Sequence, residues 1–260
     1  MVEKTVVLGK GFLGKKFEMR GYEVWGKKQF IIMRPYTDQP LLDEYDVIIN
    51  CIAKSNTRWC EKKENFESAL WSNGIVPRIL SDYCATHGKR FVHISTGCLY
   101  GDGTLPYTEK DEIVAHLNYT VTKWVGERGC NEQDLILRPR LLFGDFADRN
   151  NLLCKLPKFD KYVVARNSYT SVDVIVNSVE ALLRHEQSGI FNVACDGFAT
   201  VAEIAHWIGL KGERISAREL REQENLHLVN NMMDISKLWK FYQPPMLLDE
   251  ISRCWEALKC

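Results

Sequence analysis

The sequence has no excess of charge of either sign. Its 34 Lys and Arg balance 34 Asp and Glu across 260 residues, for a formal net charge of zero. That excludes a partner held by whole-molecule charge, so no nucleic acid is expected, although local basic patches remain compatible with the balance. Long apolar runs are also missing. One of the longest, VIINCIA at 47–53, is far short of the roughly 20 residues that cross a bilayer, so no membrane association is expected. The opening Met-Val-Glu-Lys has neither the basic n-region nor the apolar h-region of a secretory signal. The nine cysteines, at 51, 60, 84, 98, 130, 154, 195, 254 and 260, include no CxxC pair. With no Cys/His cluster at zinc spacing, no metal is expected. Free thiols in odd number fit a reducing compartment, so the reading is cytoplasmic. Internal repeats, low-complexity tracts and Gly/Ser linkers are absent too.

What is present suits a cored protein. Hydrophobic residues make up 45% of the chain and aromatics 11%, enough for one large domain or one domain with a smaller lobe. Short β-branched runs alternate with helical patterns. Strands are expected at 5–8, 22–25, 30–33, 46–53, 90–95, 134–138 and 189–194. Helices are expected at 12–20, about 61–71, about 74–87, about 117–132 and 172–184. This alternation predicts an α/β fold, a Rossmann-type doubly wound parallel sheet. Residues 1–145, completed by 162–195, would form the dinucleotide-binding domain. Residues 146–161 and 196–260, with helices at about 200–208, 234–241 and 246–258, would form a small interwoven cap that binds substrate. The stretch between Pro35 and Asp46 leaves room for only a very short helix.

Gly9-Lys-Gly11-Phe-Leu-Gly14 lies between the first strand and the first helix. There the GxGxxG pattern has a mechanism: a tight turn, close approach of backbone to a pyrophosphate, and close helix–sheet packing, with the phosphates on the helix N-terminus. Phe12 and Leu13 within the turn, and Cys51 and Ala53 at the end of the 46–53 strand, join the expected cofactor site. After the second strand, where NAD-selective sites place a carboxylate, the chain reads Trp25-Gly26-Lys27-Lys28-Gln29. Two lysines and no acid suit a 2′-phosphate, which predicts NADPH.

Tyr119-Thr-Val-Thr-Lys123 puts a phenol and an ammonium on one face of a helix, one turn apart. The cation favours the phenolate and makes Tyr119 a proton donor or acceptor near neutral pH. His93-Ile-Ser-Thr96, at the end of a buried strand, adds the Thr96 hydroxyl at the sheet edge where α/β proteins bind ligands. The six histidines have no spacing that suggests a metal or a Ser/His pair.

The segments VVLGKGFLG, VIINCIA, FVHISTGCLYGD, PYTEKDE, YTVTK and LILRPRLLFGD resemble the extended short-chain dehydrogenase/reductases, and within them the dTDP-4-dehydrorhamnose reductase group. One departure is a glycine loop shorter by one residue than the usual GxxGxxG. Thr57-Arg-Trp-Cys-Glu61, Ser95-Thr-Gly-Cys98, Asn151-Leu-Leu-Cys-Lys155, Ser168-Tyr-Thr170, Gly189-Ile-Phe-Asn192 and Asn231-Met-Met-Asp-Ile-Ser-Lys-Leu are similar, in order, to the bifunctional 3,5-epimerase/4-reductases of UDP-rhamnose synthesis. GDP-fucose synthase, which pairs the same reactions, also carries a cysteine two residues after its hydroxyl.

The resemblance implies a nucleotide-diphosphate 4-keto-6-deoxyhexose as substrate and a 6-deoxy-L-hexose of the UDP- or dTDP-rhamnose type as product. Thr96, Tyr119 and Lys123 would be the reductase residues, with Tyr119 and Lys123 also touching cofactor. The C3 and C5 hydrogens of such a sugar are acidic because the enolate is stabilised by donors to the C4 oxygen. Cys98 and Lys155 are the candidates to move those protons, and Asn151 and Arg166 the candidate contacts to diphosphate or base. A homodimer fits the group. Two other readings stay open: a reductase working behind a separate epimerase, and a cofactor-binding regulatory subunit without catalysis.

Overall fold

The computed structural model describes residues 3–26, 42–224 and 229–259. Strand β1, Thr5–Leu8, leads through the glycine turn into helix α1, Phe12–Met19, and on to β2, Glu23–Trp25. Strand β3, Val47–Asn50, is buried at all four positions. That is why its sequence is a continuous apolar run: a parallel strand covered on both faces has no solvent side to alternate with. Strand β4 spans Arg90–Ile94, β5 Leu135–Pro139 and β6 Gly189–Val193.

The strands lie in the order β6-β5-β4-β3-β1-β2, and from β5 to β2 each neighbouring pair is parallel. The expected parallel α/β sheet is therefore present. Its strand order reverses between β1 and β3, whose register pairs Val7 with Ile49 and Leu8 with Asn50. Such a reversal opens a crevice at the carboxyl ends of the two strands. The run at 30–33, Lys27 and Lys28, and most of the segment between Pro35 and Asp46 fall outside the described residues.

Contacts divide the chain into two compact units. The first comprises Met1–Thr96, His116–Leu137 and Glu186–Ile190, and the second Gly97–Ala115, Arg138–His185 and Phe191–Cys260. In the first, Val6, Leu8, Trp25, Ile48 and Phe91 of the sheet share a core with Val76, Leu80, Tyr83 and Cys84. The helices expected separately at 61–71 and 74–87 are one continuous run over 66–86. Helix α2, Phe66–Leu70, passes through a π turn, Trp71–Ile75, into α3, Val76–Thr86. Gly74 does not interrupt it. A Cβ there would lie 3.1 Å from Leu70 and Val125 and 3.3 Å from the Thr122 carbonyl, so this glycine brings the π turn against helix α4, Asn118–Arg128.

Among the described residues the second unit contains small two-stranded pairings and six α-helices of varied length: α5, Leu152–Lys155; α6, Val172–Arg184; α7, Val201–Trp207; α8, Ala217–Glu224; α9, Ser236–Trp239; and α10, Leu247–Lys259. Helix α8 is absent from the sequence expectations. Its start is nevertheless written as a capping box, with Ser216 and Glu219 each accepting the other's backbone N–H. The helix expected at 234–241 is a single turn. Among the described residues no helix is long and apolar enough to cross a membrane.

Candidate active site

In the first unit, the glycine turn sits at the strand reversal. Gly9 has φ +112°, and a Cβ on it would meet the backbone of Cys51 and Ile52 at 2.8 Å. Only glycine permits both that conformation and that approach. At Gly14 a Cβ would collide with the carbonyl of Gly9, whereas at Gly11 it would meet nothing within 4 Å. The turn is thus tight where helix packs on strand and open at the helix start. Gly11 caps α1 without a side-chain hydrogen bond, and no acid occupies the first turn. An open cradle at an uncapped helix N-terminus is what a phosphate requires, so the residues present fit a dinucleotide. Cys51, at the other wall of the turn, has its thiol pushed up to about 12 by burial. Ala53 is exposed.

Helix α4 carries Tyr119 and Lys123 on one face. Its start is set by Glu61, whose carboxylate accepts the backbone N–H groups of Asn118 and Tyr119, each at 3.1 Å. Asn73, fully buried in the π turn, fixes the helix from the side. Its amide donates to Thr122 Oγ1 and to the Lys54 carbonyl, while its Oδ1 accepts the Lys54 N–H. Lys123 is 1% exposed and donates to the Ile94 carbonyl at 2.7 Å. Burial lowers its pKa to about 8, against the opposing pull of Glu127. Ser95 Oγ donates to that same Glu127 at 2.7 Å, and Thr96 follows directly, ending the first of the three segments of that unit. His93 is fully buried and accepts a hydrogen bond from Asn50 Nδ2. Burial, and then the Lys123 charge, hold its imidazole well below the usual range, so it is neutral.

The second unit begins with a 3₁₀ turn, Gly97–Tyr100, which bears the half-buried Cys98. Gly97 lies where a Cβ would strike the Met233 sulfur. Asn231 donates through Nδ2 to the carbonyls of Gly97 and Gly101 at 3.0 and 2.9 Å. Arg140 donates to Cys98 Sγ at 2.8 Å. Lys155 ends α5, and burial lowers its pKa while the Asp148 charge acts the other way. Asn151 is fully buried: its Nδ2 donates to the carbonyls of Gly144 and Phe146, and its Oδ1 accepts the N–H groups of Gly144 and Leu153. Its amide is occupied in shaping that loop and capping α5. Arg166 is exposed on a two-residue strand.

Within the first unit the structure thus links the 94–96 strand end to the helix of Tyr119 and Lys123, and within the second it links Cys98 to Arg140. Glu61, Asn73, Glu127 and Arg140 had no role in the sequence reading. Glu127 had a signal, since it stands four residues after Lys123 and so shares its helical face. Arg140 had a fainter one, a second charge inside the otherwise apolar LILRPRLLF.

The family described as RmlD substrate binding domain matches residues 12–221. A trifunctional UDP-glucose 4,6-dehydratase/UDP-4-keto-6-deoxy-D-glucose 3,5-epimerase/UDP-4-keto-L-rhamnose-reductase of Arabidopsis thaliana is 25% identical over 214 residues, 76% of this chain and 32% of that protein. A dTDP-4-keto-6-deoxy-D-glucose reductase of Streptomyces niveus is 29% identical over 175 residues, 61% of this chain and 58% of the relative. The chain therefore spans about a third and somewhat over half of the lengths of these two relatives. A crystal structure of dTDP-4-dehydrorhamnose reductase from Bacillus anthracis, in complex with NADP, superposes with a TM-score of 0.82 at 20% identity, covering 98% of this chain and 99% of that one.

Proposed function

The chain belongs to the RmlD substrate binding domain family, and on that premise we propose that it is an NADPH-dependent reductase of a nucleotide-linked 4-keto-6-deoxyhexose that also epimerises the sugar at C3 and C5. The observation that carries the reductase reading is the anchoring of Lys123 to the Ile94 carbonyl, one turn from Tyr119. It is supported by the open glycine turn and by the names of the Streptomyces and Bacillus relatives.

Bound NADPH supplies the hydride that reduces the C4 carbonyl. The chain's own part is to hold and protonate. Tyr119 gives its phenolic proton to the C4 oxygen as that oxygen becomes an alcohol. Thr96 donates to the same oxygen. Lys123 holds the nicotinamide ribose and keeps positive charge beside the phenol. Gly11, Phe12 and Leu13 at the start of α1 would hold the phosphate groups, and Lys27 and Lys28 would select the 2′-phosphate. Before reduction, Cys98 and Lys155 exchange the C3 and C5 protons through enolates, and the burial that lowers the Lys155 pKa makes its proton easier to give up. Arg166 contacts the diphosphate or base, in a cap formed by 146–161 and 196–260. The Arabidopsis relative's name contains both activities, which supports the epimerase half. The names of the dTDP reductases favour the reductase alone.

One experiment separates these. The protein is incubated with NADPH and the UDP-, dTDP- and GDP-linked 4-keto-6-deoxyglucoses in deuterium oxide, with the product read by NMR. Deuterium at C3 and C5 of a reduced L-sugar is the expected result. Reduction seen only after a separate 3,5-epimerase is added leaves a reductase alone, and no NADPH oxidation with any of the three, with or without that epimerase, refutes the enzyme reading.

A further inference from the structure

Arg140 follows β5 and is 3% exposed. A guanidinium stays protonated in proteins, so burying one leaves a charge that needs compensation. The surroundings of Arg140 offer little. One Nη donates to Cys98 Sγ at 2.8 Å, and the other donates to Asn167 Oδ1 at 2.6 Å and to the Val229 carbonyl. Its Nε is buried without an acceptor, and among the described residues no carboxylate pairs with it. An amide and a carbonyl cannot take up negative charge. Of the atoms that Arg140 contacts, only the Cys98 sulfur can.

The neighbouring ionisable groups do not change this. Tyr169 feels the guanidinium, but its hydroxyl is fully buried without a hydrogen-bond partner, and burial pushes its phenol up, so it stays neutral. The Asp102 carboxylate is engaged by Arg221 and by the Asn230 N–H. The geometry around the sulfur is also over-determined. Asn167 Oδ1, which accepts from Arg140, accepts the backbone N–H of Asn231 as well, and Asn231 holds the turn that bears Cys98.

We infer that Arg140 is a positioning residue for Cys98: its uncompensated charge fixes the sulfur on a charged hydrogen bond and favours the sulfur as the acceptor of a substrate proton. This rests on the epimerase reading and deepens it. In the step, the C–H bond at C3 or C5 breaks, its proton forms the S–H bond, and its electron pair passes into the enolate across C4. A second acid delivers a proton to the opposite face of that carbon, and the thiol returns its own proton to solvent. A charge-assisted N–H···S bond is strongest to the anionic sulfur, which is the form that accepts the proton.

The test is alkylation of Cys98 by iodoacetamide at pH 6.5 and pH 9.5, followed by peptide mass spectrometry in the wild type, Arg140→Gln and Arg140→Lys, with Cys98→Ala as blank. At pH 6.5 wild-type Cys98 is expected to react at least tenfold faster than in Arg140→Gln, with the rates converging at pH 9.5, and Arg140→Lys to fall between them. Loss of mere access would lower both rates alike. Should Arg140→Gln fail to fold, the half-buried Cys154 of the wild type is the reference, and Cys98 must outpace it tenfold at pH 6.5 only. Equal rates at pH 6.5 overturn the assignment. Deuterium incorporation is read in parallel: if none enters the sugar while alkylation behaves as stated, the epimerase reading fails and the coupling of Arg140 to Cys98 stands.

Discussion

Ser95 Oγ donates to Glu127 Oε2 at 2.7 Å, and the Ile94 carbonyl accepts from Lys123 Nζ at the same distance. The last residue of β4 and the one after it therefore meet two helix residues one turn apart, which fixes both the height and the rotation of α4 against the end of β4. A single bond would leave the helix free to pivot. With two, the position of Tyr119, one turn before Lys123, is determined by the strand that carries Thr96.

Tyr119→Phe removes the proposed proton donor and little else. Turnover with a 4-keto sugar nucleotide is expected to fall by roughly 10²–10⁴-fold, the range for loss of a general acid. NADPH affinity, followed by quenching of protein fluorescence, is expected to change less than threefold. Reductase activity near wild type would remove Tyr119 from the mechanism.

The pH dependence of stability carries a signature of Lys123. Its folded pKa of about 8 lies below that of a free lysine. Between the two values the unfolded chain binds more protons than the folded one, so this group makes stability rise with pH from about 8 to about 10.5; below both values it adds no slope. Urea midpoints at pH 7.0 and 9.5 are compared in the wild type and Lys123→Met. The wild type is expected to gain on the variant at the higher pH, and an unchanged gap would show that the ammonium is not buried as described.

The glycine turn gives opposite expectations at two positions. Gly11→Ala places a methyl in open space and should leave the urea midpoint unchanged while weakening NADPH binding by roughly tenfold, about 1.4 kcal/mol. Gly14→Ala drives a methyl into the Gly9 carbonyl and should cost about 1–3 kcal/mol of stability with no cofactor present. Equal effects on both measurements would mean that the two glycines share one role.

Asn73→Ala deletes three hydrogen bonds at a fully buried site and takes the acceptor from the Lys54 N–H. A loss of about 3 kcal/mol is expected from denaturant unfolding. Adding Thr122→Val should cost less in the Asn73→Ala background than alone, because the partner hydroxyl has already lost its donor.

The sheet was legible because buried parallel strands write themselves as unbroken apolar runs, as at 47–49, and because Gly9, Gly11 and Gly14 stand at fixed offsets from the strand before them. Tyr119 and Lys123 were legible through helical spacing. What supports them was not. Asn73 lies in a helix like any polar residue, and only the tertiary fold shows that its amide faces Lys54 and Thr122. Glu61 caps a helix that starts 57 residues later, and no local pattern reports a bond of that span. The two helices expected at 61–71 and 74–87 merged because Gly74 answers to the close approach of α4, a demand set by packing rather than by propensity.

The ties made by Asn231 also bear on when this protein takes shape. The turn holding Cys98 is closed by an amide that lies 134 residues after Gly97 and 130 after Gly101. Contacts of such separation are made late, after shorter loops have closed. While the chain is being synthesised, residues 97–101 lack these bonds until Asn231 has emerged. The turn with the proposed catalytic sulfur is thus set after the 130 residues that follow it, and a nascent chain halted before Asn231 would carry the cysteine without the bonds that shape its turn.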